Sequence, residues 1–508
     1  MSSDSSKNLT RRALVARAIR GGAALTAGPA FLGAAERARA AAPGPSGVHL
    51  TFGARPEREM VVSWTAPRGA KRPGVRVGPA HGHLSEVRRP DSVGIVDRDA
   101  RVTAAAQRDQ LTVHHVALDD LRPDTAYVYE IVGDGTATRR GTFRTAPAGR
   151  APFRFTAFGD QGTGDKDYVI SAAQGRWIVD QVDGREPLLN LHLGDLAYAN
   201  LQPAGRRGVA WDTFMDNNAR SAASRPWMPI LGNHEIEKGN GPLGYDQYLG
   251  RFRLPSNGSR HHDGHWYAFT VGTVRFVAVD AEDWALQKGG DIFNKGYSAG
   301  AQLTWLKREL RSARADKAHD WVVVLVHHPL VSSADLNGPD VGVREALLPL
   351  LHAHGVDLVL SGHDHDYERS YLLGDAEAGS PTLRPQVLGK ELERVDTTKG
   401  WVQLVLGGGG TSIPTAQYDK DNDKPGQQAP VFVEPGLLLP TGEEDVTWSA
   451  VRDEGHPYGF AQFDVTPAPR GGGVAKMEVQ AYRLATPSAA NPRPKPVPSD
   501  RFTLTRRV

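Results

Sequence analysis

Short apolar runs separated by proline, glycine and aspartate occupy the chain from about residue 46 to 148. The runs Met60–Trp64 and Leu111–Leu118 have no helical period, and their length suits strands. Closely spaced strands with turn residues between them are typical of a β-sandwich. We therefore predict an amino-terminal sandwich domain in which Trp64, Tyr127 and Tyr129 pack in the core rather than bind a ligand.

The pattern changes after Phe143–Gly149 to strongly apolar strands that alternate with helical segments. Helical periodicity predicts helices over Ala301–Ala313 and Val343–His354. Buried strands that alternate with helices indicate an α/β domain, which we place at residues 150–508. Because the segment Gly459–Asp464 has the pattern of a strand, we assign the tail of the chain to this domain as well.

A glycine-, proline- and aspartate-rich interval interrupts the second domain at about residues 411–445. This composition is typical of a long surface insertion. We expect a solvated loop there, and a lid over a functional crevice is the alternative.

The first 40 residues have the layout of a signal peptide. A polar start is followed by the pair Arg11-Arg12, by a weakly apolar stretch from Gly21 to Ala35, and by the small-residue cleavage site Ala38-Arg39-Ala40. The arginine pair resembles the twin-arginine (Tat) signal, whose route exports folded proteins. We predict a Tat signal over residues 1–40, the Tat export machinery as a partner, and a secreted or extracytoplasmic location. A disordered basic terminus is the alternative.

Composition excludes several classes of protein. The chain of 508 residues is 40% apolar and 23% charged, and its length suggests a leader plus two domains. No uninterrupted apolar run approaches the roughly 18 residues of a membrane-spanning helix, so no membrane span is predicted. Cysteine is absent. Disulfides and thiolate ligands are therefore excluded, and any transition metal must be held by nitrogen and oxygen ligands.

Net charge gives no reason to predict binding to nucleic acid or to an anionic membrane. The formal charge is +2, and the first 40 residues contain seven basic and two acidic side chains. Removing this +5 from the total leaves −3 for the rest of the chain. A nearly neutral protein without a long basic block lacks the usual electrostatic signature of those partners.

Five apolar strands of the second domain each end in a turn with side chains able to bind a metal ion. In α/β sheets the carboxyl ends of strands converge on one crevice, where residues distant in sequence meet. Each turn alone could be an ordinary polar turn or a cap, but all five in one order predict a shared metal site. The strands and the residues that follow them are Phe153–Phe158 before Asp160, Leu188–Leu193 before Asp195, Trp227–Leu231 before Asn233, Trp321–Val326 before His327, and Val356–Leu360 before His363.

These turns, with Tyr198 and the segment Asp366–Ser370, resemble the purple acid phosphatases of the calcineurin-like metallophosphoesterase superfamily. Leu121–Tyr127 resembles the tyrosine corner of a fibronectin type III domain, and Trp401–Gly410 and Trp448–Asp464 resemble the closing strands of the family. The resemblance implies a protein of the α/β fold class. Its catalytic domain would be a four-layer αββα metallophosphoesterase sandwich, preceded by a fibronectin type III-like β-sandwich domain.

The resemblance also implies two metal ions held by seven residues. Asp160, Tyr198 and His365 would hold one ion, Asn233, His327 and His363 would hold the other, and Asp195 would bridge them. His328 is expected next to the ligands or the substrate, and an exchange of roles with His327 is the alternative.

The ligand types indicate which ions are suitable. A tyrosine phenol has an unperturbed pKa of about 10, so a Tyr198 phenolate at neutral or acid pH requires a strongly Lewis-acidic ion. Fe(III) is the natural candidate for that site. An amide, two imidazoles and a shared carboxylate suit Zn(II), Fe(II) or Mn(II) at the other site.

Two metal ions in one site activate water and neutralise charge on phosphoryl oxygens. We predict an exported phosphatase that hydrolyses small-molecule phosphate monoesters by attack of a metal-bound hydroxide on phosphorus. Asp195 and His234 are the predicted catalytic residues, and His234 would stabilise the phosphoryl oxygens or protonate the leaving group. A phosphodiesterase or nucleotide hydrolase with the same metal pair is the first alternative, and a non-catalytic cell-envelope binding protein is the second.

Several other polar residues receive secondary predictions. Plant relatives carry additional histidines in the loop after the His327 strand, whereas Ser332–Gly338 has none. Glu368 and Arg369 are expected to orient the last histidine loop. Three histidines in a loop rich in glycine, serine and aspartate are expected to be solvated, with substrate contact as the alternative: His261, His262 and His265.

Overall fold

The computed structural model describes the chain from residue 44 onward, with gaps. The described residues are 44–67, 71–96, 111–134, 138–334, 337–411, 428–453, 458–485, 488–491 and 494–508. The predicted signal peptide at residues 1–40 lies outside them. Within these ranges no helix combines the length and the apolar character needed to cross a bilayer.

The amino-terminal part is a sandwich of two antiparallel sheets, as the strand spacing predicts. Its strands are β1 (Ser46–Phe52), β2 (Met60–Pro67), β3 (Lys71–Pro79), β4 (Ser92–Val96), β5 (Leu111–Leu118), β6 (Ala126–Asp134) and β7 (Arg139–Arg144). One sheet has the order β1-β2-β5-β4 and the other β3-β6-β7. The tyrosine corner is confirmed, because Arg122 N donates to the Tyr127 hydroxyl at 2.8 Å. Trp64, Tyr127 and Tyr129 are buried.

The second domain contains two mixed sheets with helices on their outer faces. Its helices are α1 (Gln174–Asp183), α2 (Arg207–Ala222), α3 (Asp246–Leu249), α4 (Ala301–Ala315) and α5 (Val341–Ala353). Its strands are β8 (Phe153–Phe158), β9 (Leu189–His192), β10 (Trp227–Pro229), β11 (Tyr267–Val271), β12 (Val274–Ala278), β13 (Trp321–Leu325), β14 (Leu358–Ser361), β15 (Tyr367–Ser370), β16 (Leu372–Ala376), β17 (Pro385–Gly389), β18 (Arg394–Asp396), β19 (Val402–Leu406), β20 (Gln428–Val431), β21 (Gly442–Asp445), β22 (Ser449–Arg452), β23 (Gly459–Thr466), β24 (Val474–Arg483) and β25 (Val497–Arg507).

Strand order places the metal-competent turns on neighbouring strands, at one side of the first sheet and in the middle of the second. The first seven-stranded sheet runs β10-β9-β8-β23-β24-β25-β18, and the second runs β11-β12-β13-β14-β19-β15-β22. Strands β8, β9 and β10 are parallel, as are β12, β13, β14 and β19. Parallel neighbours end at the same edge of a sheet, so their following turns come together.

The apolar strands supply two cores because successive side chains point to opposite faces. In β13, Trp321 and Val323 join the core that contains Phe155 of the first sheet, whereas Val322 and Val324 join the core under helices α4 and α5. A third cluster lies between the first sheet and helix α1. The order of layers is therefore helix, sheet, sheet, helix, as expected from the sequence.

Both predicted helices are present with slightly different ends. Helix α5 begins at Val341 because the Asp340 carboxylate accepts hydrogen bonds from Gly342 N at 2.8 Å and Val343 N at 3.3 Å. Such a side chain satisfies amide groups that the first helical turn leaves without partners. Helix α4 continues to Ala315, two residues beyond the predicted end.

The sandwich packs directly against the second domain. The Tyr129 hydroxyl donates to the carbonyl oxygen of Ala223 at 2.6 Å, just after α2. On the other side, His49 Nε2 lies 2.9 Å from the carbonyl oxygen of Arg251. Apolar residues of both domains form one continuous buried cluster. The sandwich thus supports the second domain through buried contacts.

The expectation of a solvated loop at 411–445 is wrong for the part of the insertion that the structure describes. Strands β20 and β21 pair antiparallel, and Ala429, Val431 and Phe432 are buried. Glu444 of β21 forms an ion pair with Arg344 of α5, and both side chains are almost fully buried. Apolar residues in this segment anchor it to the helix layer in spite of its turn-rich composition.

Candidate metal centre

The predicted metal-binding turns meet where neighbouring strands of both sheets end. Asp160 and Asp195 follow β8 and β9 of the first sheet, and His327 and His363 follow β13 and β14 of the second. Asn233 begins a short 3-10 helix after β10. All seven residues of the predicted metal set lie in one buried cluster.

One group within this cluster combines a carboxylate, a phenol and an imidazole. The Tyr198 hydroxyl lies 3.0 Å from Asp160 Oδ1 and 2.9 Å from His365 Nε2. His365 Nε2 is 3.4 Å from the same Asp160 oxygen. Three potential ligand atoms therefore face one another at nearly contact distance.

The second group directs ligand-type nitrogen and oxygen atoms at its centre. His327 Nδ1 lies 2.7 Å from the carbonyl oxygen of Leu193, so Nδ1 donates and Nε2 is the ring nitrogen that faces the cluster. Asn233 directs its Nδ2 amide to the carbonyl oxygen of Gly289 at 3.2 Å, which turns Oδ1 inward. Asn233 Oδ1 is then 3.1 Å from His327 Nε2.

His363 completes this arrangement in the same way. Its Nε2 lies 2.7 Å from Gln287 Oε1, so Nε2 donates and Nδ1 carries a lone pair. Nδ1 lies 2.9 Å from Asn233 Oδ1, and Asp195 Oδ2 lies 3.2 Å from His327 Nε2. Ligand atoms of Asp195, His327 and His363 all lie within 4.8 Å of one another. Nitrogen and oxygen ligand atoms that converge this closely fit a bound cation.

Electrostatics lead to the same conclusion. Burial and the carboxylates of Asp160 and Asp195 raise the pKa of Tyr198 well above its ordinary value. Burial lowers the pKa of His327, but Asp195 outweighs it and raises that pKa to about 10. Among the described residues, the ion-pair partners of Asp160 and Asp195 are histidines only. A site this rich in buried negative charge attracts positive charge, and its oxygen and nitrogen donors fit two metal ions.

The backbone is unusual at four positions of this cluster. Asp160, Asp195, Tyr198 and His363 have φ angles of 59°, 52°, 52° and 72°. Such left-handed conformations cost about 1–3 kcal/mol each for residues other than glycine and concentrate at functional sites. They turn four donors inward within very short loops.

Two glycines allow the loops to approach the carboxylates closely. A Cβ atom on Gly232 would lie 2.3 Å from Asp195 Oδ1, and one on Gly362 would lie 2.5 Å from Asp160 Oδ2. Any larger residue at either position would displace a carboxylate. The glycines in the Gly232-Asn233-His234-Glu235 and Gly362-His363 motifs thus have a steric cause.

Glu235 is a functional residue to which sequence reasoning assigned no role. Its carboxylate accepts hydrogen bonds from the backbone amides of Asp195, Leu196 and Gly232 at 2.8, 2.8 and 2.9 Å. It therefore ties the Asp195 turn to the Asn233 turn. A glutamate three residues after a turn glycine is the available sequence signal, because such a side chain can fold back onto the backbone.

His234 lies at the edge of the metal cluster. Its backbone amide donates to Asp195 Oδ1 at 2.8 Å, and its ring centroid lies 4.4 Å from that of Tyr198. Nδ1 lies 2.9 Å from Asn200 Oδ1, an acceptor, so Nδ1 carries a proton. Nε2 is left facing the cluster, 3.9 Å from Asp195 Oδ2. The role of Asn200, two residues after Tyr198, was missed from the sequence.

His328 lies behind the ligands rather than among them. Its side chain is fully buried, its ring centroid is 4.1 Å from that of His363, and its Nε2 is 3.5 Å from Glu282 Oε1. This placement favours His327 over His328 as the ligand. It also puts His328 beneath the ligand layer, away from an approaching substrate.

The expectation of a solvated surface cluster is wrong for His265. That side chain is buried beside Tyr245, with ring centroids 5.4 Å apart, and burial lowers its pKa to about 4. His262 stacks on Trp266, whereas His261 is exposed. Aromatic neighbours distant in sequence cover this loop, which its polar composition does not reveal.

Glu368 and Arg369 anchor other segments around the site. Glu368 accepts hydrogen bonds from Ser333 N at 2.8 Å and Ser333 Oγ at 2.9 Å, in the loop that follows the His327 strand. Arg369 pairs with Asp500 of β25 at 2.6 Å. Both residues thus hold neighbouring segments against β15.

Two family models match the chain, one over the amino-terminal sandwich and the other over the second domain. Residues 45–145 match the model described as the purple acid phosphatase amino-terminal domain. Residues 153–367 match the model described as calcineurin-like phosphoesterase, and this range includes all seven clustered residues.

Similar proteins cover between half and nearly all of the chain. An uncharacterized protein of Mycobacterium tuberculosis is 40% identical over 93% of this chain and 89% of its own length. Purple acid phosphatase 21 of Arabidopsis thaliana is 32% identical over 51% of this chain and 53% of its own. The purple acid phosphatase structure from yellow lupin seeds shares the fold with a TM-score of 0.66 at 21% identity, covering 91% of this chain and 75% of that one. The chain belongs to the purple acid phosphatase-like calcineurin-like phosphoesterases and is a metal-dependent phosphoester hydrolase.

Proposed function

We propose that this protein is an exported dinuclear-metal phosphatase acting on small phosphate monoesters. The observation that carries the proposal is the convergence of imidazole, amide and carboxylate ligand atoms from both sheets on one buried cluster. Domain boundaries at 46–148 and 150–508, with an amino-terminal signal at 1–40, belong to the same proposal. They agree with the two separate family matches.

In this proposal Asp160, Tyr198 and His365 hold one ion and Asn233, His327 and His363 hold the other. Asp195 bridges the two. When bound, such a pair of ions lowers the pKa of water, orients the phosphoryl group and neutralises charge on its oxygens. Tyr198 makes Fe(III) the preferred ion for the first site, because burial and nearby carboxylates raise the pKa of its phenol. Zn(II), Fe(II) or Mn(II) suits the other site.

His234 is the proposed proton carrier. Asn200 Oδ1 accepts from Nδ1 in both charge states of the ring, so the exchangeable proton resides on Nε2. Once protonated, Nε2 can donate to a phosphoryl oxygen or to the departing alkoxide. The loop Ser332–Gly338 contains no histidine that could share this role.

The first test uses the full chain expressed in a bacterium with a working Tat pathway. We expect hydrolysis of phosphate monoesters to exceed that of diesters, with the activity in the medium or periplasm. Replacing Arg11 and Arg12 by lysine should retain the activity inside the cell, because the Tat signal depends on the arginine pair. Faster turnover of a diester than of a monoester would show that the enzyme is a phosphodiesterase. Unchanged export of the lysine variant would show that the protein does not depend on a Tat signal.

The second test is the substitution Tyr198→Phe combined with metal analysis. We expect wild-type protein to contain iron and to absorb visible light through an Fe(III) phenolate, and the variant to lose that band. The spectrum and the metal content of both proteins are the measurements. A colourless, fully active wild-type enzyme with two zinc or manganese ions would disprove the iron assignment and leave the hydrolase intact.

A further inference from the structure

One short segment holds two of the proposed ligands from outside the metal cluster. Gln287 Oε1 accepts from His363 Nε2 at 2.7 Å, and the carbonyl oxygen of Gly289 accepts from Asn233 Nδ2 at 3.2 Å. Both contacts fall on ligands of the same proposed ion. Gly289 also packs tightly against Asn233, because a Cβ atom added at Gly289 would lie 2.7 Å from the Asn233 Cβ.

A small polar ring fixes the orientation of the Gln287 amide. Its Nε2 donates to Asn337 Oδ1 at 3.4 Å, and Asn337 Nδ2 donates to the carbonyl oxygen of His363 at 3.0 Å. Oε1 must then face His363, and Gln287 is buried. An oxygen in that place keeps the His363 proton on Nε2 and the lone pair on Nδ1, the atom that faces Asn233 Oδ1.

The backbone of this segment is fixed from two sides. Asp340 Oδ2 accepts from Leu286 N at 2.7 Å and from Gln287 N at 2.8 Å. On the other side, Lys288 N donates to the Leu437 carbonyl oxygen at 2.8 Å. Gly436 N in turn donates to the Leu286 carbonyl oxygen at 2.7 Å. The insertion between β20 and β21 thus pairs with the segment that touches the ligands.

We infer that Gln287 is a positioning residue for the ion held by His363 and Asn233, and that the insertion hairpin β20–β21 supports it. This inference rests on the proposed function. Outer partners of a metal-binding histidine set its tautomer and ring orientation and strengthen it as a ligand. The insertion therefore contributes to metal affinity without supplying a ligand.

The test compares Gln287→Met with Gln287→Glu. Methionine has a similar shape but no oxygen, whereas glutamate keeps an acceptor for His363 Nε2. We expect Gln287→Met to weaken binding of the second ion by about 10- to 100-fold, in line with the loss of other such partners. Gln287→Glu loses only the long 3.4 Å contact of Nε2 with Asn337 Oδ1 and should retain wild-type affinity or exceed it. Metal affinity is measured by competition with a chelator, and the visible band from the Tyr198 site should persist in both variants.

A buried glutamine away from the cluster is the matched control. Gln247 bonds to Asn240, and Gln247→Met should leave metal affinity unchanged. Wild-type metal affinity in Gln287→Met would overturn this inference, and so would equal losses of metal affinity in Gln287→Met, Gln287→Glu and Gln247→Met. Either result would leave the proposed function intact. A wild-type protein that binds no metal and hydrolyses no phosphoester would overturn the proposed function as well.

Discussion

Replacing Asp195 by asparagine is expected to lower phosphoester turnover by more than about 10³-fold, or about 4 kcal/mol. Loss of a partner outside the ligand shell typically costs about 10- to 100-fold, so loss of a charged ligand shared by two ions should cost more. Asp195 Oδ2 faces His327 Nε2 at 3.2 Å, in the centre of the cluster. An amide there removes the negative charge that both ions require.

The loop itself should survive this change. Asp195 Oδ1 accepts from His234 N at 2.8 Å, and the amide oxygen of asparagine can keep that bond. Turnover at saturating monoester, metal content and circular dichroism are the measurements. Asp464→Asn is the control, because Asp464 is partly exposed and pairs with Arg154 instead. Turnover within tenfold of wild type in Asp195→Asn would exclude this cluster as the catalytic site.

The positions of the metal-binding turns could be predicted because each follows a strongly apolar strand. All five residues of β13 are apolar and buried, which is a local signal. The pairing of strands is different. Strand β23 from the tail lies beside β8, with Gln462 opposite Thr156, and no local pattern reveals that neighbour. Sequence thus indicates which turns bear ligands, and tertiary pairing decides how the two sheets present them.

The partners of the ligands could not be predicted in this way. Gln287 lies 76 residues from His363 in sequence, and its contact depends on a single side-chain oxygen. Asn200 and Glu235 lie within or beside motifs that were identified, yet their roles depend on which backbone amides and ring nitrogens the fold directs at them. Motif spacing specifies donors for the ions, whereas the groups that orient those donors come from unrelated segments.

Burial of the insertion was also hidden by its composition. Ala429, Val431 and Phe432 are buried apolar residues of a segment rich in turn formers. The Arg344–Glu444 pair joins β21 of this segment to α5. A single glutamate in a polar interval gives no sign that its partner is an arginine a hundred residues earlier.

The substitution Glu444→Gln is expected to destabilise the protein by about 3–5 kcal/mol, because it leaves the buried Arg344 guanidinium without its anion. The pair has two contacts of 2.6 Å, and its side chains are 0% and 2% exposed. Glu444 also accepts from Thr382 Oγ1 at 2.7 Å and from Trp448 Nε1 at 3.1 Å. Urea unfolding and hydrogen exchange of strands β20 and β21 are the measurements.

Two controls separate the charge effect from a general weakening. Arg344→Met with Glu444→Leu removes both charges and should recover most of the lost stability, since no buried ion is left unpaired. Glu478→Gln breaks an exposed pair with Arg501, 56% and 74% exposed, and should cost less than about 1 kcal/mol. If the hairpin supports Gln287, Glu444→Gln should also weaken metal binding, and Glu478→Gln should not. A loss below about 1 kcal/mol in Glu444→Gln would show that the apolar contacts of the insertion hold it without the ion pair.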